Sequence, residues 1–128
     1  MCFEVVASCQ LLVGSGEWAD PSIVGVYRGT AKTPYGKQAV TLRITGQKGN
    51  GQFTGELTHP NHWWVSLRVV GTVYSNRSVK FTFSGTDTDG SASGRGSATV
   101  SANGKKIAGK FTETVAGATF NGILSLRR

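Results

Sequence analysis

From Ile23 onward the chain alternates apolar and polar residues in short runs, broken about every ten residues by Gly, Asn, Asp or Pro. Alternation of this period predicts half-buried β-strands. The runs cover 23–32, 38–47, 52–59, 65–74, 78–86, 91–101, 106–114 and 118–127, which makes eight strands. The intervals are too short for crossover helices, and parallel neighbours need connections of about a dozen residues or more, so consecutive strands must run antiparallel.

Period two also assigns the faces. Val40, Leu42 and Ile44 share a face with Gly46, Phe53 and Leu57 with Gly55, and Val65, Leu67 and Val69 with Gly71. The series continues with Val79, Phe81 and Phe83 beside Gly85, Ile107 and Phe111 beside Gly109, and Phe120, Leu124 and Leu126 beside Gly122. A glycine on an apolar face gives away buried area, so it implies a geometric need. Closing a coiled sheet into a small barrel supplies that need, because inward crowding is relieved where the side chain is missing. The expected fold is therefore all-β: an eight-stranded antiparallel up-and-down barrel over residues 23–128, with a two-sheet sandwich as the alternative. Strand six turns Ala92, Gly94, Gly96, Ala98 and Val100 inward, leaving space for large residues from elsewhere or for a cavity.

The turns differ between the two ends. Those after strands two, four and six, "KGNG", "SNR" and "ANGK", carry the Asn or Asn-Gly that tight hairpins prefer. Those after strands one, three, five and seven, "TPYGK", "PNHWW", "DTDG" and "VAG", are on average longer and more varied, which predicts an open end. His59, Asp87 and Glu113 continue the inward registers of strands three, five and seven to that end, and Trp63 continues that of strand four. Tyr27 faces inward between Gly25 and Gly29, whereas Trp64 faces outward. Tyr27, His59, Trp63, Asp87 and Glu113 are thus the candidate ligand-binding residues, two aromatic walls and a few polar groups being what small-molecule pockets use. The same aromatics could serve the core. A desolvated carboxylate beside a histidine could equally perform acid–base chemistry near neutral pH.

Ahead of the barrel, Cys2, Val5, Val6, Cys9, Leu12 and Val13 fall on one face of a helix. Residues 1–22 are read as a short amphipathic helix near the closed end followed by the linker "GSGEWADPS". The segment "VVASCQ" resembles a bacterial lipoprotein cleavage box but lacks a basic start and sufficient apolar length, so the compartment stays open between the slightly favoured cytoplasm and a truncated lipoprotein or secretory signal. Both cysteines lie too near the N-terminus to staple the barrel, as free thiols or as one small loop. No apolar run approaches the roughly 18 residues of a transmembrane helix.

Composition changes this picture little. Eighteen glycines against three prolines suit a β-rich fold, and 38% hydrophobic residues suit a folded one. The net charge of +7 comes from cations with no run longer than two, which reads as a solvated surface without a nucleic-acid partner. His59 and His62 are the one close histidine pair, short of the three or four ligands that zinc takes, so neither metal nor cofactor is expected. No G-x-S-x-G signature points to a nucleophile. Val24, Val26, Val70 and Ile123 lie on the outward register, and a cluster of them would mark a homo-oligomer contact.

Two stretches resemble the avidin family of the calycin barrels. Gly25-Val26-Tyr27 is similar to the G-x-W that opens the first strand of those proteins, and "ITGQKGNGQFTGELT" is similar in rhythm to their F-T-G-x-x-T hairpin. The resemblance implies a ligand-holding barrel. It argues against biotin, because Arg28 stands where avidins place a biotin-contacting Asn and all three tryptophans precede residue 65. The expected function is non-catalytic binding of a small, partly apolar ligand at the open end, its charge left open. The alternatives are an isomerase, cyclase or hydrolase using the same rim, and a structural or partner-binding barrel.

Overall fold

Each hairpin pairs a strand with the next, and the last strand returns to the first. The computed structural model describes residues 22–87 and 90–128, without the side chains of residues 63 and 64. The predicted N-terminal helix, with Cys2 and Cys9, lies outside the described residues. The strands are β1 (Gly25–Thr33), β2 (Gly36–Gln47), β3 (Gln52–His59) and β4 (His62–Val73), then β5 (Ser78–Asp87), β6 (Gly90–Val100), β7 (Lys106–Val115) and β8 (Ala118–Arg127). They form a closed barrel in sequence order, every neighbour antiparallel, which excludes the sandwich.

The strands reach further than propensity predicts at the end where β1, β3, β5 and β7 finish. Pairs Thr33↔Gly36, His59↔His62, Asp87↔Gly90 and Val115↔Ala118 extend the ladders through residues expected in loops, leaving two-residue connections. The expectation of longer turns at that end is therefore reversed: residues 48–51, 74–77 and 101–105 make the longer connections, at the opposite end. Each of these longer turns is fixed by an asparagine. The side-chain oxygens of Asn50, Asn76 and Asn103 accept the backbone N–H two residues on, at 3.1, 3.0 and 3.0 Å.

Ala116 and Gly117 form the β7–β8 turn with φ of 52° and 80°, the double positive φ of a tight hairpin turn. A left-handed conformation costs a Cβ-bearing residue about 1 kcal/mol, less for Asn. Ala116→Asn is expected to raise the urea midpoint by roughly 0.5 kcal/mol in stability, an unchanged midpoint being the contrary result.

The inner surface explains the glycines. Phe53, Gly71, Phe81, Gly96, Phe111 and Gly122 are successive register partners across β3 to β8, so phenyl and hydrogen alternate strand by strand. Each ring lies over a neighbouring glycine: a Cβ on Gly71 would come 2.9 Å from Phe53 Cζ, and one on Gly96 would come 2.5 Å from Phe81 Cζ. The nearly bare wall of β6 is thus partly filled by rings from the adjoining strands.

The end carrying the asparagine turns is sealed. Ile23, Tyr27, Val73 and Val100 are wholly buried. Ile23 N–H donates to Gln47 Oε1 at 2.8 Å, and Tyr27 Oη donates to the Gly104 carbonyl at 3.3 Å. The Arg128 guanidinium lies 5.4 Å from the centre of the Tyr27 ring and donates to the Val24 carbonyl at 2.6 Å.

Candidate functional site: a cavity at the barrel mouth

Because one end is sealed and the glycines thin the inner wall, space remains toward the other end. A cavity of about 390 Å³ runs from the core to the mouth. Its deep part is aliphatic and aromatic, with Leu42, Leu67, Val69 and Phe83 among its walls. His59, Asp87 and Glu113 stand nearer the mouth, where the inward registers of β3, β5 and β7 end.

Tyr27 is not brought to this site. It is the third residue of β1, which starts at the sealed end, and it plugs that end instead of walling the cavity. Burial raises its phenol pKa, against the opposing charge of Arg128. The side chain of Trp63 lies outside the described residues, and its backbone follows His62 at the start of β4.

Two other aromatics belong to the mouth: Phe120, which sequence reasoning turned inward without assigning it to the site, and Tyr35, which it left in a turn. Tyr35, in the β1–β2 turn, lines the mouth and meets Phe120 of β8 edge-on with ring centres 5.2 Å apart. Tyr35 is 74% exposed, a large aromatic left on the rim. The available signal was its place in an open-end turn, where a packing role is least expected.

The polar groups have distinct protonation. Glu113 is buried, and its pKa is pushed up to about 8 by that burial, by a hydrogen bond with Asp87 and by the Asp87 charge. The two carboxyls therefore share one proton at neutral pH. Glu113 Oε2 is buried and makes no hydrogen bond among the described residues. His59 Nδ1 accepts the Asn61 N–H at 3.0 Å, so the neutral ring carries its proton on Nε2. Burial lowers the His59 pKa, as does nearby His62, while Asp87 opposes them. The His59 and His62 rings stack with centres 4.1 Å apart.

This arrangement offers an N–H donor from His59 and an unused acceptor on Glu113 beside an apolar interior. Among the described residues no group of three or more His, Cys, Asp or Glu could hold a metal ion. No helix among them is long and apolar enough to cross a membrane. Of the expected oligomer residues, Val70 has Thr54 and Thr82 as cross-strand neighbours, and Ile123 has Lys110 and Lys32. Compared with known protein families, curated proteins and solved structures, the chain has no match.

Proposed function

We propose that the protein binds, without catalysis, a small and mostly apolar molecule in the barrel interior, with a hydrogen-bond donor on the ligand directed to the Glu113–Asp87 pair. The observation that carries this reading is Glu113 Oε2, a buried acceptor without a partner among the described residues, on a side chain lining a cavity of about 390 Å³. An acceptor of that kind is costly unless something supplies it with a donor. The carboxyl pair keeps one negative charge at neutral pH, which disfavours anionic ligands and suits alcohols and amines. The avidin-like rhythm of the second hairpin is consistent with a barrel of this use.

A titration with the neutral arylamine N-phenyl-1-naphthylamine, read by fluorescence and by thermal shift, tests it. Enhanced, blue-shifted emission is expected, displaced by medium-chain alcohols at least tenfold better than by the matching carboxylates, and lost in Glu113→Leu. No response with any of these compounds would leave a filled, structural barrel.

The pairing of a carboxyl held above its ordinary pKa with a histidine held below its own favours a second reading, an acid–base enzyme. Turnover of a bound compound, lost in both His59→Ala and Glu113→Gln, would replace the binding reading by that one.

A further inference from the structure

The fold sorts charge in a way that the linear sequence hides. All fourteen Lys and Arg side chains are exposed. Of the described side-chain carboxylates, Asp87 and Glu113 line the interior cavity, and Glu56 stands alone on the outer wall, accepting a hydrogen bond from Ser66 Oγ at 2.6 Å. Two of the three described carboxylates are thus at the mouth, while the basic groups cover the outside.

Register then aligns residues that are far apart in the chain. Lys80, Ser97, Lys110, Ile123 and Lys32 are successive outward partners on β5, β6, β7, β8 and β1. Neighbouring strands lie about 4.8 Å apart, so the three lysines recur at intervals of roughly 10 Å. A second outward row, Val70, Thr82, Arg95, Thr112 and Asn121, runs beside the first. Between the two rows lies the backbone of the Phe–Gly row, and the three together form part of a shallow, open outer groove that winds around the barrel, all eight strands contributing to its lining. Lys32, Lys48, Lys80, Arg95 and Lys110 line this groove, and no carboxylate of the described residues does.

We propose that this groove is a second binding site, separate from the interior cavity, for the phosphate backbone of a nucleic-acid duplex held without regard to base sequence. Lys, Arg, Ser, Thr, Asn and Gln are the side chains that contact phosphate and sugar oxygens, and they make up the polar part of the groove. Lys80, Arg95 and Lys110 stand on the adjoining strands β5, β6 and β7 with no described carboxylate among them, and a polyanion relieves the repulsion between them while releasing its own counterions. The phenyl rings beneath the groove are turned toward the core, so it offers no stacking platform for single-stranded bases. Val70 and Ile123, the large apolar side chains exposed along it, stand apart among polar neighbours, which does not make the continuous apolar face that insertion into a lipid surface uses.

Fluorescence anisotropy of a labelled random-sequence 20-base-pair DNA duplex, followed from about 50 to 200 mM KCl, tests the proposal. Wild-type protein is expected to bind in the micromolar range, with log K falling against log salt at a slope between about −3 and −5, as for several neutralised phosphates. The triple variant Lys80→Gln, Arg95→Gln, Lys110→Gln should bind tenfold or more weakly with a shallower slope, and its arylamine titration should be unchanged. The control Lys105→Gln, Lys106→Gln, Arg127→Gln removes the same charge outside the groove and should lose less than threefold. Equal losses in the two triples would reduce the effect to net charge and overturn the assignment. Binding to phosphatidylserine vesicles with none to the duplex would overturn it in favour of a membrane surface.

Discussion

Between pH 6 and pH 9 the protein is expected to lose on the order of 3 kcal/mol of stability, and Glu113→Gln to abolish most of that loss. Glu113 titrates near 4.5 when unfolded and at about 8 when folded. Below the lower value both states hold the proton and the group has no effect. Above it the unfolded chain ionises first while the folded protein keeps its proton, so the native state binds more protons and stability falls as pH rises. The fall ends once the folded carboxyl has also ionised, above about pH 8. Over the interval from pH 6 to that point the loss is about 1.4 kcal/mol per pH unit, which gives the figure above. A barrel of this length should then melt roughly 10 °C lower at pH 9 than at pH 6. His59 acts on the other limb: its pKa is lowered on folding, so it withdraws stability as pH falls below 6.5. Between about pH 4.5 and 6.5 the two slopes oppose each other, so the fall attributable to Glu113 alone emerges above pH 6.5. Glutamine keeps an N–H donor for Asp87 and cannot ionise, so melts of Glu113→Gln should be nearly flat above pH 6. A flat wild-type profile, or a variant that keeps the slope, would remove the shared proton from the account of the mouth.

The route from sequence to this mouth was short because it used only period two. Once each strand runs antiparallel to the next, strands three, five and seven end on the same side, and inward registers must deliver His59, Asp87 and Glu113 to one rim, as they do. The same topology, applied to Tyr27, places it near the start of β1 and therefore at the opposite end; an inward register fixes the face of a residue, not its height. Turn lengths were misjudged for a different reason. Gly36, His62 and Gly90 have little strand propensity, and cross-strand hydrogen bonding recruits them regardless. The basic rows were invisible to any scan for runs of charge. Lys32, Lys80 and Lys110 become neighbours on one line only when the register of four successive pairings is known.

Closure of the barrel rests on a backbone contact that a single methyl group should break. Gly29 pairs with Leu126 in the β1–β8 seam, which runs only from Arg28↔Arg127 to Lys32↔Ile123, the shortest ladder in the sheet. A Cβ on Gly29 would fall on the Ser125 carbonyl oxygen and lie 2.9 Å from Leu126 Cα. Neither atom can rotate away, so Gly29→Ala must part the two strands, at an expected cost of about 3 kcal/mol or more in urea denaturation. Gly122→Ala provides the contrast. The nearest atoms to its new methyl group all belong to the Phe111 ring, which also packs edge-on against Phe83 with ring centres 6.1 Å apart. Its cost should be about 1–3 kcal/mol, and Phe111→Leu should recover part of it, a coupling that a double-mutant cycle measures directly. For Gly29 the corresponding truncation, Ser125→Gly, leaves the obstructing carbonyl in place and should recover nothing. If Ser125→Gly rescued Gly29→Ala, the crowding at the seam would lie between side chains, and the requirement for glycine at the closing seam would have to be sought in something other than the approach of the two backbones.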